Sequence, residues 1–295
     1  MPRTAQGQDQ SPGTERVSIS ATEQKRVDLP QGPIGYREAG SGPPVVFVHG
    51  LLVDGRLWDG IADQLAATHR CIVPDWPMGS HRLPMSPDAD LTPTGVAATI
   101  ADFMAALDLD DVTLVGNDSG GAISQVLVTT RPERIGRLVL TNCDSYEHFP
   151  PGVFKAMPAI AKLPGGMAAM AAPFRIGAAR RATYSQFVKG SIDPALADAW
   201  LQPALRDRGV MRDLRKFTAG VNKRYTLEAA ARFGQLKMPV LLAWGTDDSF
   251  FKLSHAERLA AAIPGARIET IEDAKTFVPL DQPAAVADAI ARFTR

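Results

Sequence analysis

The sequence predicts an α/β fold with a mostly parallel, twisted β-sheet flanked by helices, and two observations carry this prediction. Short β-branched and apolar runs alternate with segments whose apolar residues recur at helical spacing, as in sheets that helices cover on both faces. The alternation stops between residues 146 and 235, where Pro, Gly, Met and Ala cluster without a strand pattern. We therefore expect a helical cap inserted after the sixth strand of the sheet.

Eight strands are expected, at residues 27–29, 34–37, 45–49, 71–74, 112–115, 138–141, 240–244 and 267–271. Helices are expected at residues 57–67, 95–107, 122–130, 256–263 and 284–293. The predicted core therefore comprises residues 23–145 and 236–295, and the cap comprises residues 146–235. Residues 1–22 are predicted to be a disordered tail, because their first part is rich in Gln, Ser, Thr, Pro and Gly.

The charge balance limits the kinds of partner. Lys+Arg and Asp+Glu both number 32, so no long-range field favours nucleic acid or an anionic membrane. Two cysteines do not make a disulfide framework, and no apolar signal segment begins the chain, so a cytoplasmic location is expected. The expected partner is a small molecule, and the chain is expected to be a monomer or a homodimer.

A turn flanked by glycines follows the fifth predicted strand and precedes a helix, with the sequence Gly116-Asn117-Asp118-Ser119-Gly120. A nucleophile on such a strained turn needs small residues two positions before and two positions after it. Asp118 meets this demand through Gly116 and Gly120. With Ser119 at the apex, Asn117 would hold the earlier position, so Asp118 is predicted to be the nucleophile. The alternative is a turn whose acid only caps the helix.

Two other strand ends bring polar groups to the same edge of the predicted sheet. The backbone N–H of Leu51, after the third strand, and that of Ser119 are predicted to stabilise an oxyanion. His49 is predicted to fix its loop by hydrogen bonds. After the seventh strand, Asp248 is predicted to orient a base or stabilise its cation, and Asp247 is the alternative.

With the late segment Phe277-Val278-Pro279-Leu280-Asp281-Gln282-Pro283, these motifs resemble the α/β-hydrolase fold superfamily, in particular its capped branch of haloalkane dehalogenases and epoxide hydrolases. The resemblance extends from about residue 25 to the end of the chain. It implies that the elbow aspartate attacks an alkyl carbon and forms an ester, which a histidine-activated water then hydrolyses. A carboxylate suits halide displacement or epoxide opening, whereas a serine suits acyl transfer. The sequence contains no metal-binding cluster, phosphate loop or dinucleotide motif, so no cofactor is expected.

The chain departs from this family pattern at the base. The family's catalytic histidine normally stands just before the Phe of the late motif, where this chain has Thr276, and a threonine cannot act as a base near neutral pH. His81, in the loop after the fourth strand, is predicted as the substitute base, and His148 is the second candidate. Ser119 stands where haloalkane dehalogenases usually place a halide-holding tryptophan.

The favoured function is hydrolysis of a small organic substrate, an epoxide, ester or halide-like electrophile, with Asp118 as the nucleophile. The missing histidine motivates two alternatives. In one, Asp118 is a general acid or base in a lyase, cyclase or isomerase. In the other, the protein is a ligand-binding homologue whose catalysis is impaired.

Overall fold

The computed structural model describes residues 18–295, which contain one eight-stranded sheet. Its strands are β1 (Lys25–Leu29), β2 (Gly32–Ala39), β3 (Pro44–Val48), β4 (Arg70–Pro74), β5 (Val112–Asp118), β6 (Ile135–Cys143), β7 (Val240–Gly245) and β8 (Arg267–Ile271). The spatial order is β1-β2-β4-β3-β5-β6-β7-β8. The pairs β1–β2 and β2–β4 are antiparallel, and all other neighbours are parallel. The predicted fold class is confirmed.

The helices of the described residues fall into two groups. Those of the core are α1 (Asp59–Leu65), α2 (Pro93–Ala106), α3 (Ser119–Thr130), α10 (Leu253–Ala262), α11 (Val278–Asp281) and α12 (Pro283–Phe293). Those between β6 and β7 are α4 (Met157–Lys162), α5 (Gly166–Ala171), α6 (Gly177–Tyr184), α7 (Pro194–Arg206), α8 (Arg208–Gly220) and α9 (Lys223–Ala230). Short 3-10 helices occur at Ile19–Ala21, Gly55–Trp58, Gly152–Ala156, Ala172–Arg175 and Phe233–Gln235.

Strand β3 shows why inner strands of this sheet appear in the sequence as continuous apolar runs. Val46 and Val48 pack on the side of the sheet that α2 and α3 cover, whereas Val45 and Phe47 pack on the opposite side with α1 and α12. Successive residues of a strand point to opposite faces, so a strand that helices cover on both sides has no solvent-facing position. The inner strands β3 and β7 are buried along almost their whole length, so the residues that follow them begin at a rigid part of the fold.

The chain before β1 is more ordered than the sequence indicated. Residues 18–22 were assigned to a disordered tail, but Ile19–Ala21 form a 3-10 helix and the side chain of Ile19 is fully buried. The backbone N–H of Ile19 donates to Oδ1 of Asp63 at 2.6 Å. The prediction was wrong for these residues because a single buried isoleucine in a polar stretch produces no periodic signal. Residues 1–17 of the predicted tail lie outside the described residues.

The segment between β6 and β7, called here the helical insertion (residues 146–235), bonds to loops at the carboxyl ends of the strands. Nε1 of Trp200 donates to Oδ1 of Asp54, in the loop after β3, at 2.8 Å. The hydroxyl of Tyr184 donates to the carbonyl oxygen of Leu52 in the same loop. The helical insertion therefore lies over the strand ends at which the sequence analysis places the polar residues.

Gly120 lies where α3 approaches β3 most closely. A Cβ at this position would stand 2.4 Å from the carbonyl oxygen of Val48 and 2.3 Å from that of His49. Because backbone atoms cannot yield locally, Gly120→Ala is expected to lower the free energy of unfolding by about 3 kcal/mol. Gly234→Ala is the control, because a Cβ there meets nothing within 4 Å. Urea denaturation compares the two variants, and equal losses of stability would contradict the close approach at Gly120.

Candidate active site

Asp118 is the last residue of β5 and stands immediately before α3, at the apex of the strand-to-helix turn. Its backbone has φ 52° and ψ −133°, a conformation that residues other than glycine rarely adopt. The turn closes because its neighbours lack side chains: a Cβ on Gly116 would stand 2.6 Å from Oγ of Ser124 and 2.9 Å from Cα of Gly121. The backbone therefore places Asp118 at the apex, with Ser119 as the first residue of the helix.

The predicted oxyanion donors lie beside the carboxyl group of Asp118. The backbone N–H of Leu51 donates to Oγ of Ser119 at 2.8 Å, and that hydroxyl lies 3.4 Å from Oδ2 of Asp118, to which it donates. The glycine of the His-Gly pair makes room for this arrangement, because a Cβ on Gly50 would stand 2.1 Å from Oδ2 of Asp118. Leu51 and Ser119 thus lie beside Asp118, and the N–H of Leu51 is bonded to the hydroxyl of Ser119.

Burial raises the pKa of Asp118 to about 6, against the opposing hydrogen bonds from Ser119. The charge of Asp248 adds to the rise, and the backbone N–H of Leu51 opposes it. The carboxyl group is thus ionised at neutral pH but is poorly solvated. A carboxylate that has lost part of its hydration is more reactive towards carbon and protons than one in water.

Asp248 follows β7 and holds polar groups at the adjacent strand ends. Its Oδ2 accepts from Oγ1 of Thr276 at 2.9 Å and from Nδ2 of Asn142 at 3.0 Å, and its Oδ1 accepts from the N–H of Phe250 at 2.8 Å. Burial raises the pKa of Asp248 against these bonds. Asp248 was predicted to orient a base, but the side chain that it holds is the buried hydroxyl of Thr276. The alternative acid, Asp247, is exposed and pairs with Lys189.

All five histidines lie within the described residues, and none of them lines the cavity that contains Asp118. His81 is buried, its Nδ1 accepts from the N–H of Gly79 at 3.3 Å, and its Nε2 faces Oδ2 of Asp213 at 3.2 Å. Both ring nitrogens are engaged, so the assignment of His81 as substitute base is corrected. His81 joins the loop after β4 to α8 of the helical insertion.

The other histidines have structural surroundings. His148, the second candidate base, stacks on His255 with the ring centroids 4.4 Å apart. His49 fixes its loop: its Nε2 accepts from the N–H of Trp76 at 2.8 Å, and its Nδ1 is bonded to the carbonyl oxygen of Gly50 at 2.9 Å. Burial lowers the pKa of His49 to about 4, so this ring is neutral. The role that the sequence predicts for His49 agrees with these bonds.

The structure adds Asp144, which the sequence analysis did not consider as a site residue. Asp144 follows β6, is 2% exposed and lines the same cavity as Asp118. Its Oδ1 is buried without a hydrogen-bond partner among the described residues. Burial, and then the charge of Asp118, raise the pKa of Asp144 well above its ordinary value. Asp144 therefore holds its proton more tightly than an ordinary aspartic acid does, and its position after a buried parallel strand is the signal that could have revealed it.

The cavity above these residues has a volume of about 310 Å³ and a mostly apolar wall. Aromatic rings form much of that wall. The ring centroid of Phe187 lies 5.1 Å from that of Phe250, on which it stacks, and 5.3 Å from that of Phe277. The titratable residues that line it are Asp118, Asp144 and Tyr184. Such a cavity suits a small apolar molecule with one reactive polar centre. Within residues 18–295, the acidic, cysteine and histidine side chains form no group of three that could hold a metal ion.

Comparison with known proteins shows which family the chain resembles. A family model described as alpha/beta hydrolase fold matches residues 43–283. An uncharacterized protein of Mycobacterium tuberculosis is 29% identical over 273 residues, which cover 88% of this chain and 77% of that protein. Haloalkane dehalogenase 2 of the same species is 27% identical over 279 residues, which cover 91% of this chain and 93% of the dehalogenase.

Solved structures show the same likeness at lower identity. An alpha/beta hydrolase fold protein from Burkholderia ambifaria matches with a TM-score of 0.75 and 23% identity, covering 91% of this chain and 97% of that one. Haloalkane dehalogenase DbeA from Bradyrhizobium elkani matches with a TM-score of 0.76 and 18% identity, covering 92% of this chain and 97% of that one. At these identities the likeness concerns the fold alone. In residues 18–295, no helix has both the length and the apolar content to cross a membrane.

Proposed function

The chain belongs to the α/β-hydrolase fold family, and from this premise we propose that Asp118 is a nucleophile that attacks carbon in a small apolar electrophile. The observation that carries the proposal is the carboxyl group of Asp118 at the apex of a strained turn, facing an apolar cavity. A strained backbone at a strand-to-helix turn is how enzymes of this architecture expose a nucleophile to the substrate.

The reacting class follows from the chemistry of a carboxylate. One oxygen of Asp118 forms a bond to a saturated carbon, the bond from that carbon to its leaving group breaks, and an alkyl ester of Asp118 results. Epoxides and halide-like electrophiles suit this reaction, and two of the similar proteins are called haloalkane dehalogenases. The apolar wall around Phe187 and Phe250 would hold the hydrocarbon part of such a substrate and would exclude water from the carboxylate.

Covalent capture tests the proposal directly. The protein is incubated with 1,2-epoxyhexane and, separately, with 1-bromohexane, and whole-protein mass spectrometry is followed by peptide mapping. We expect a mass increase equal to one hydroxyalkyl or alkyl group, on the peptide that contains Asp118. The absence of both an adduct and product release, with either compound, would overturn the proposal.

The rate of capture is expected to rise with pH around the pKa of Asp118. Only the carboxylate attacks carbon, and the pKa of Asp118 is raised to about 6, so the rate constant should be half-maximal near pH 6 and level above neutrality. The measurement is the rate of adduct formation from 1-bromohexane between about pH 5 and about pH 8, where the bromide itself does not titrate. A rate that is constant over this range, or that falls as the pH rises, would contradict ionisation of Asp118 as the cause.

One observation favours a second candidate function. Because no histidine lines the cavity, Asp118 lacks the usual base for hydrolysing an ester, and proton transfer by Asp118 itself would need none. In that case the enzyme would be a lyase, cyclase or isomerase, and Asp118 would never carry a covalent group. Turnover in water enriched in ¹⁸O distinguishes the two functions, because only the ester route places the label in the carboxyl group of Asp118.

A further inference from the structure

Asp118 and Asp144 leave neighbouring parallel strands at the same end of the sheet. Asp118 is paired in register with Cys143, the residue before Asp144. The backbone N–H of Asp144 donates to the carbonyl oxygen of Asp118 at 3.4 Å. Both residues line the cavity, and the charge of Asp118 contributes to the raised pKa of Asp144. A ligand in this cavity would therefore lie beside both residues.

The carboxyl group of Asp144 lacks a structural role. The nearby amide of Gln125 donates to the backbone carbonyl oxygen of Asp144 at 2.8 Å and not to its carboxyl group. Oδ1 of Asp144 is buried without a hydrogen-bond partner among the described residues, which is costly for a polar atom. Two buried carboxyl groups that line one apolar cavity do not both ionise readily, and Asp118 keeps the charge because Ser119 donates to it. Asp144 therefore presents a proton to the cavity.

We propose that Asp144 is a second catalytic residue, which protonates the leaving oxygen when Asp118 opens an epoxide and then serves as the base that activates water. The inference rests on the proposed nucleophilic function of Asp118. It assigns to one carboxyl group the proton transfers for which the cavity contains no histidine.

The first step conserves atoms and charge. An oxygen of the Asp118 carboxylate bonds to a ring carbon, and the bond between that carbon and the ring oxygen breaks. The electron pair of the broken bond goes to the ring oxygen, which takes the proton of Asp144. The products are a hydroxyalkyl ester of Asp118 and the carboxylate of Asp144, so the single negative charge of the pair moves from one residue to the other.

The second step restores both residues. The carboxylate of Asp144 removes one proton from a water molecule while the water oxygen bonds to the carboxyl carbon of the Asp118 ester. The bond to the alkyl oxygen then breaks, and that oxygen takes the second proton of the water. A diol leaves, Asp118 is again a carboxylate and Asp144 is again an acid. The apolar cavity holds one negative charge throughout, which avoids the desolvation of a second charge.

The other titratable groups near the cavity are already engaged. The hydroxyl proton of Tyr184 is donated to the carbonyl oxygen of Leu52. Asp248 accepts from Thr276 and from the N–H of Phe250, and it does not line the cavity. Among the described residues of the wall, Asp144 is the acid whose proton is not committed to another protein group.

Asp144→Asn tests the role through the leaving group. Opening of 1,2-epoxyhexane releases an alkoxide that needs a proton, whereas 1-bromohexane releases bromide, which needs none. We expect the variant to form the Asp118 adduct from the epoxide at least ~100-fold more slowly and from the bromide at a nearly unchanged rate. Asp247→Asn, which changes an exposed acid at the same sheet edge, is the matched control and should behave like the unmodified protein.

The outcomes separate this inference from the function on which it rests. The bromide reaction reports that the variant's site is folded, since asparagine closely matches the shape of aspartate. Equal slowing with both probes, or no slowing with the epoxide, would overturn the role of Asp144 and leave that of Asp118 standing. No adduct from either probe on the unmodified protein would overturn both.

Discussion

Asp118→Asn is expected to abolish covalent capture of electrophiles, with a loss of at least ~10⁴-fold in the rate of adduct formation. The amide nitrogen of asparagine is not nucleophilic, whereas the turn, the cavity wall and the donors around residue 118 are retained. Adduct formation from 1-bromohexane, followed by mass spectrometry, measures the loss. Ser119→Ala is the control, because it keeps the carboxylate and removes the neighbouring hydroxyl. Loss of capture in Ser119→Ala but not in Asp118→Asn would identify the serine as the nucleophile.

The same substitution is expected to make the protein more stable at neutral pH. Burial raises the pKa of Asp118 from its ordinary value of 3.8 to about 6, so the folded protein binds this proton more tightly than the unfolded chain does. Stability is therefore lost as the pH rises between these values, and the loss is complete above them. Because part of the side chain faces the cavity, we expect a gain on the order of 2 kcal/mol for Asp118→Asn at neutral pH. Urea denaturation at acid and neutral pH measures it, and identical pH profiles for the two proteins would contradict it.

The fold could be predicted because its strands carry their signal locally. Each residue of β3 from Val45 to Val48 is buried, so the strand appears as an uninterrupted apolar run between turn residues. The buried Ile19 carries no such signal, since its side chain packs in a hydrophobic cluster with distant residues and its N–H donates to Asp63, 44 positions further along the chain. A local sequence pattern predicts a helix or strand when the buried residues recur with the period of that element. It fails where contacts with distant parts of the chain determine the structure.

The candidate site was predictable to the extent that backbone geometry constrains residue type. Gly116 and Gly120 stand where a side chain would collide, and their spacing locates Asp118 without any knowledge of the fold. Asp144 is not flanked by glycines that mark its position in the sequence. Its proposed role depends on the cavity and the side chains around its carboxyl group, which only the folded structure shows. His81 was assigned wrongly for the same reason. The sequence pattern places the loop of His81 at the correct edge of the sheet. It does not reveal Asp213, whose carboxyl group bonds to the ring of His81 and which lies 132 positions further along the chain.

His81→Ala is expected to lower the free energy of unfolding by about 3 kcal/mol, because it removes one partner of a buried pair. Asp213 is fully buried; its Oδ2 lies 3.2 Å from Nε2 of His81 and accepts from the N–H of Met85 at 2.8 Å. Its other oxygen accepts from Nε of Arg212 at 2.9 Å, a side chain that is 32% exposed. Loss of the imidazole leaves a buried carboxylate with fewer donors and an empty space beside it. Urea denaturation measures the change.

His148→Ala is the matched control, because the side chain of His148 is 35% exposed and its removal should change stability by less than about 1 kcal/mol. The comparison also distinguishes a structural His81 from a catalytic one. Since α8, which carries Asp213, supplies Phe217 and Thr218 to the cavity wall, His81→Ala should slow capture of bromide and epoxide alike. A base would instead leave stability and capture unchanged and delay only hydrolysis of the ester. That result would identify His81 as the base. It would contradict the structural role that the hydrogen bonds of its two ring nitrogens indicate.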